Sequence, residues 1–192
     1  MATVNLPPDF REFLKLLNAH QVEYLLIGGY AVAYHGYPRA TADMDIWIAV
    51  DSQNAERIVA ALKEFGFDLP ELSPALFLRE GQMIRMGVPP VRIDIATTIS
   101  GVSFAECYAA RVVDVLDEVD VNLISLRHLK ANKKAAGRHR DLDDLEIFPS
   151  KPVADTAQLK RQCSRPPPLG NSEAACLVGS LSANVSWPRH GG

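Results

Sequence analysis

The sequence predicts an α/β (α+β) domain, a mixed central sheet flanked by helices, followed by a disordered C-terminal tail. Three observations predict it. Short apolar runs of strand length (VEYLLIG, DMDIWIAV, VRIDIAT) alternate with segments whose apolar residues recur every three or four positions. The balance of 47% hydrophobic and 22% charged residues over 192 positions is that of an ordinary globular domain. The periodicity then stops near Phe148 and does not return.

Taken in order, residues 9–20 set Phe10, Phe13, Leu14 and Leu17 on one helical face, with Asp9 as the expected N-cap after Pro7 and Pro8. VEYLLIG reads as a buried strand that ends in the turn Gly28-Gly29, and YAVAYHG as a short helix behind it. DMDIWIAV alternates as a strand should. SQNAERIVAALKEFGF is an amphipathic helix with Ser52 as its expected cap, an Ile58, Leu62, Phe65 stripe, and Gly66 as its stop. Between Pro70 and Glu80 no pattern dominates. QMIRMG and VRIDIAT form two strands around Val88-Pro89-Pro90, with Met83 and Met86 expected in the core. SFAECYAA is a short helix, and RVVDVLDEVDVNLIS a hairpin turning at Asp117-Glu118. SLRHLKANKKAAG is a helix stopped by Gly137, and RHRDLDDLEIF a last short helix.

The domain is therefore placed at residues 1–148 and the tail at 149–192. Pro166-Pro167-Pro168 and a rise in Gly and Ser mark that tail, whose composition cannot sustain a core. Its abrupt onset also suggests translation through a shifted reading frame. A net charge of -3 excludes a protein basic all over, though not a local basic patch. No apolar run approaches the ~18 residues of a membrane span, and the N-terminus does not read as a signal peptide. Cys107, Cys163 and Cys176 are odd in number and widely spaced, which points away from a disulfide framework or zinc site and toward the cytoplasm.

The chemistry concentrates in YLLIGGYAVAYHGYPRATADMDIWIAV and in Arg92-Ile93-Asp94-Ile95. Strand residues two apart share a face, so Asp43 and Asp45 project together while Met44 and Ile46 turn to the core. Carboxylates this close raise each other's pKa unless a cation lies between them. Magnesium is a hard ion suited to a few carboxylates plus substrate phosphates. Asp94, flanked by the apolar Ile93 and Ile95, is the expected third ligand of a two-metal site. Gly28 and Gly29 allow close backbone approach to a phosphate, with a helix N-terminus behind them. Arg39 and Thr41 are candidate further phosphate contacts.

On Gly28-Gly29, Asp43-Met44-Asp45 and Asp94 the sequence resembles the DNA-polymerase-beta-like nucleotidyltransferase superfamily. Within it, Arg39 to Asp45 and the segment LISLRHLKANKKAAGRHRDLDDLEIF look most like the small bacterial group of AbiEii-type and MenT-type toxins. The resemblance covers about residues 22–148. It implies the nucleotidyltransferase fold and transfer of a nucleotide from a nucleoside triphosphate to a hydroxyl of RNA, protein or a small molecule, with magnesium or manganese. It implies Asp43 and Asp45 as metal ligands, Asp94 as metal ligand and base, and Lys133 near the triphosphate. A cognate antitoxin is the implied partner of the toxin reading. One departure is that many of those toxins continue into a longer helical region, whereas here the globular pattern stops near Phe148.

Blander readings stand beside these. Lys130, Lys133 and Lys134 also fit a solvated helix face, and His35 fits packing or capping. Asp141 and Asp144, three apart on a helix, fit helix-stabilising partners of Arg138 or Arg140. A non-catalytic nucleotide-binding or interaction module of a toxin–antitoxin system is the alternative function. A metal-dependent phosphohydrolase is disfavoured, because the five histidines do not gather near the acids.

Overall fold

The computed structural model describes residues 6–36, 41–88 and 91–148, all within one compact unit, Met1–Pro152. Arg39, the Pro89-Pro90 turn and the expected tail lie outside the described residues.

The elements run α1 (Pro8–Ala19), β1 (Tyr24–Leu26), α2 (Gly28–Tyr34), β2 (Asp43–Ile48), α3 (Ser52–Glu64), a single 3-10 turn at Pro74–Leu76, β3 (Met83–Val88), β4 (Val91–Ala96), α4 (Phe104–Ala109), β5 (Val112–Leu116), β6 (Val119–Leu123), α5 (Leu126–Ala136) and α6 (His139–Ile147). The strands form one six-stranded mixed sheet in the order β3-β4-β2-β1-β6-β5. β2 pairs parallel with β4 and antiparallel with β1, and β1 in turn meets β6 in parallel. The expected α/β class, with a mixed sheet flanked by helices, is the one observed.

Alternation along the strands divides the core. On one face Tyr24, Leu26, Met44, Ile46, Ile48, Ile93 and Ile95 pack under α1 and α3. Phe10, Phe13, Leu14 and Leu17 of α1 are fully buried there, worth on the order of 2 kcal/mol each. On the other face Leu25, Trp47 and Ala96 join Ile27, Cys107, Ile124, Leu129 and Phe148. Trp47 meets Phe104 edge to face at 5.1 Å, and its indole N–H donates to the Thr97 carbonyl. Asp43 and Asp45 lie on this second face, two and four residues before Trp47. One strand face is therefore acidic at its start and apolar at its end.

Three local expectations are corrected. α1 begins at Pro8 with Pro7 before it, so Asp9 lies in the first turn and is not the cap. α3 is capped by Asp51, whose carboxylate accepts from the Gln53 and Asn54 amides, and Ser52 is its first residue. A carboxylate beside the positive helix end is the better acceptor. Met83 is half exposed while Met86 packs on the first core, because residues three apart in a strand face opposite ways. The hairpin does turn at Asp117 and Glu118, both with positive φ, and Gly137 ends α5 in the left-handed conformation. Among the described residues no helix is long and apolar enough to cross a membrane.

Candidate functional site

The parallel ladder of β2 and β4 sets Asp43 opposite Arg92 and Asp45 opposite Asp94. All four side chains therefore share one face. Asp94 is buried between two fully apolar neighbours, Ile93 and Ile95, which turn into the opposite core and fix its direction. The strand register sets Asp43, Asp45 and Asp94 on one sheet face.

Their charge is met from within the chain. Arg92 Nη2 donates to Asp43 Oδ2 at 2.5 Å and to Asp94 Oδ2 at 3.3 Å. Arg92 Nε lies 3.0 Å from Asp94 Oδ1 but out of line, leaving both buried atoms without a hydrogen bond. Arg85, opposite Asp94 on the other side, approaches Asp94 Oδ2 to 3.8 Å from a largely exposed position. Among the described residues no three His, Cys, Asp or Glu side chains are gathered as a metal-holding group. The guanidinium of Arg92 stands between two of the acids instead. Sequence reasoning passed over Arg92 and Arg85. The period-two rule that joined Asp43 to Asp45 joins Arg92 to Asp94 equally well, and it was the signal to follow.

Asp45 is held differently. The Ile27 amide donates to the Asp45 carbonyl at 3.0 Å, which brings Gly28 against the carboxylate. A Cβ on Gly28 would stand 1.9 Å from Asp45 Oδ2, and the residue has φ +60°. Gly29 donates its backbone N–H to the Asp45 carboxylate, and a Cβ there would meet Thr41 Oγ1 at 2.6 Å. The two glycines thus make room for Asp45 and Thr41. The Thr41 hydroxyl donates to the Asp43 carbonyl, which shapes the entry to β2. Burial first, then the charges of Asp94 and Asp43, push the Asp45 carboxyl above its ordinary value, against the lowering effect of the Gly29 N–H.

The donor set of the three acids is oxygen only, the chemistry that a hard divalent cation takes. Asp94 Oδ1 is buried without a hydrogen bond, and burial together with its like-charged neighbours disfavours the charged form of Asp45. Hard carboxylate oxygens crowded in this way suit magnesium or manganese.

Lys133, expected near the triphosphate, is buried in an ion-pair network of α5 and α6. Its side chain is only 4% exposed, and its ammonium donates to Asp141 Oδ1 at 3.0 Å and Asp144 Oδ2 at 2.6 Å. Arg138 Nε donates to the other Asp141 oxygen at 2.6 Å, and 78% of the Arg138 side chain is exposed. The acids at 141 and 144 are therefore partners of a buried lysine, and Asp141 pairs with Arg138 as well. Leu129 of α5 and Leu145 of α6 pack in the core that Trp47 shares, on the acid-bearing face, and the Arg138 charge is felt at Asp45. Arg138, expected from the sequence as a helix-stabilising partner of Asp141 and Asp144, does pair with Asp141. His35 donates from Nε2 to the Ile124 carbonyl at 2.9 Å, a packing role.

Comparison with known proteins adds to this geometry. No curated protein matches the sequence. Among solved structures, a provisionally named nucleotidyltransferase from Thermotoga maritima is 15% identical, with a TM-score of 0.47 over 80% of this chain and 89% of its own. An antigenic nucleotidyltransferase-like protein from Paracoccidioides brasiliensis is 16% identical, with a TM-score of 0.45 over 80% of this chain and 84% of its own. The aminoglycoside-2''-adenylyltransferase family matches residues 9–147, which include every acid and glycine of the site. The chain belongs to the aminoglycoside-2''-adenylyltransferase family and is a nucleotidyltransferase.

Proposed function

We propose that residues 1–148 form a metal-dependent nucleotidyltransferase domain, with 149–192 as a tail, and that it transfers a nucleotide from a nucleoside triphosphate to a hydroxyl on a small molecule. The observation that carries the site is the ladder register, which puts Asp45 directly opposite Asp94 with Asp43 beside them on the same face. The family's name favours an aminoglycoside-like sugar hydroxyl as acceptor.

In this reading Asp43, Asp45 and Asp94 would hold magnesium or manganese. When bound, that ion supplies charge neutralisation for the triphosphate and lowers the pKa of the attacking hydroxyl. The chain's own groups perform the rest. Asp94, rigid between its buried neighbours, takes the hydroxyl proton as an O–P bond forms at the α-phosphorus. The bond from that phosphorus to the bridging oxygen breaks, and pyrophosphate leaves. Gly28, Gly29 and Thr41 line the approach for phosphate, and Arg39, outside the described residues, is a further phosphate contact proposed from the sequence alone. Arg138 presents an exposed guanidinium whose direction is set by Asp141. Lys133 acts on the triphosphate side through that buried network, holding Asp141 in place.

Incubating the protein with magnesium, each of the four labelled triphosphates and a panel of aminoglycosides tests the reading. Labelled antibiotic is the expected product. Labelled RNA or protein in a cell extract, with no labelled antibiotic, would shift the acceptor to the toxin-like class. Triphosphate binding in a calorimeter with no transfer to any acceptor would leave the non-catalytic module, which the Arg92 contacts with the acids favour.

A further inference from the structure

We propose that Arg92 is a resident counter-ion of the acid triad, exchanged for the divalent metal when the site is loaded. The inference rests on the reading of Asp43, Asp45 and Asp94 as metal ligands and adds what happens before the metal arrives.

The strand register makes the contact unavoidable. Arg92 is opposite Asp43 across the parallel ladder and two residues before Asp94 on its own strand. From there it reaches both carboxylates at once. The oxygens it covers are the ones a hard cation needs. A guanidinium and a divalent ion repel each other at such short range, so both cannot occupy them together.

The quality of the contact separates a replaceable ion from a structural one. Arginine binds most strongly when its fork meets one carboxylate through two parallel hydrogen bonds. Here the fork is split between two acids, and Arg92 Nε and Asp94 Oδ1 face each other at 3.0 Å without hydrogen-bond geometry. The pair neutralises charge yet leaves hydrogen bonding incomplete. The Arg92 side chain is also 31% exposed, so solvent can receive it when it leaves. Lys133 is the contrast in the same fold: 4% exposed and hydrogen-bonded to two carboxylates. Lys133 is built as a permanent ion pair and Arg92 as a provisional one.

The test uses the full chain, manganese alone without nucleotide, and the variants Arg92→Gln, Arg92→Lys and Asp94→Asn. Bound manganese is read by electron paramagnetic resonance, and melting is followed with chelator or with manganese. Arg92→Gln is expected to melt lower than the parent in chelator, because the carboxylates lose their counter-ion. It is expected to bind manganese about tenfold more tightly and to gain more in melting temperature from it. Arg92→Lys should fall between. Manganese affinity in Arg92→Gln equal to or below that of the parent, with Asp94→Asn abolishing binding, would make Arg92 a plain structural brace and overturn the inference alone. No manganese uptake by parent or variant would remove the metal-ligand reading and the inference with it. Should Arg92→Gln fail to fold, the side-chain Nε–Hε resonance of Arg92 in the parent decides: it must move on titration with magnesium, and an unmoved signal at saturation refutes the exchange.

Discussion

Asp45 on β2 and Asp94 on β4 face each other in one register pair of a parallel ladder, yet their surroundings differ. Asp94 has Arg92 and Arg85 for company, whereas Asp45 accepts from the Gly29 amide and is pushed upward by burial and by its acidic neighbours. Neutralising the two should therefore have opposite effects on stability and the same effect on chemistry. Asp45→Asn relieves repulsion and is expected to raise the melting temperature in chelator. Asp94→Asn strips Arg92 of a partner and is expected to lower it. Both should reduce nucleotide transfer by roughly a thousandfold or more, as loss of an essential ligand or base does. Melting curves and labelled-triphosphate turnover on the two variants check this. A lower melting temperature for Asp45→Asn would contradict the electrostatic account.

Gly28 has positive φ and no room for a Cβ, which would overlap Asp45 Oδ2. Gly28→Ala should cost about 1–2 kcal/mol from the left-handed backbone alone. It should also displace the carboxylate and cut transfer by about a hundredfold, the penalty of misplacing a reacting group by an ångström. Denaturant unfolding gives the first number and turnover the second. Gly36 has nothing within 4 Å of its ideal Cβ position despite φ +109°, so Gly36→Ala should show backbone strain without the loss of turnover.

The Lys133 network should behave as buried charge. Lys133→Met removes the cation between Asp141 and Asp144 and leaves two buried carboxylates facing each other, expected to cost about 3–5 kcal/mol. Chemical denaturation measures it. For Asp141, burial alone would raise the carboxyl, but the hydrogen bonds and charges of Arg138 and Lys133 outweigh it and hold it below its ordinary value. Its stabilising contribution is full above the unfolded carboxyl pKa of ~3.9 and is lost as pH falls from there through the lower folded value. Asp141→Asn should flatten that part of the stability profile. An unchanged acid limb would show that the network contributes nothing.

His35 is buried, which lowers its pKa, and the bond to the Ile124 carbonyl offsets this only in part. Above the unfolded value of ~6.5 both states are neutral. Below it the unfolded chain takes up a proton that the folded chain resists, so stability should fall as pH drops toward the folded value. His35→Gln should remove this slope between neutral and mildly acidic pH, read from urea midpoints at each pH. A parallel slope in the variant would assign it to another group.

The cap of α3 separates two adjacent polar residues. Asp51→Ala should cost about 1 kcal/mol, since its carboxylate accepts from two amides of the first turn, while Ser52→Ala should change little. Equal effects of the two substitutions in thermal unfolding would place the cap at Ser52 after all.

Alternation and spacing were enough to name most of the elements and to put Asp43 and Asp45 on one face, while Asp94 was joined to them by the family resemblance. A strand has period two and a helix 3.6, and both are local properties that a linear string records. The stripe of α1, the hairpin turn at Asp117-Glu118 and the stop at Gly137 were legible for the same reason. What no local pattern contains is which strand lies beside which, and in what register. That depends on the whole core closing at once. Only the β2–β4 pairing brought Arg92 onto Asp43, and only the packing of α5 and α6 turned Lys133 inward to Asp141 and Asp144 and left Arg138 outside. Charges interact through distance in space rather than along the chain. The acids could therefore be read from the sequence, while the cations that answer them had to wait for the fold.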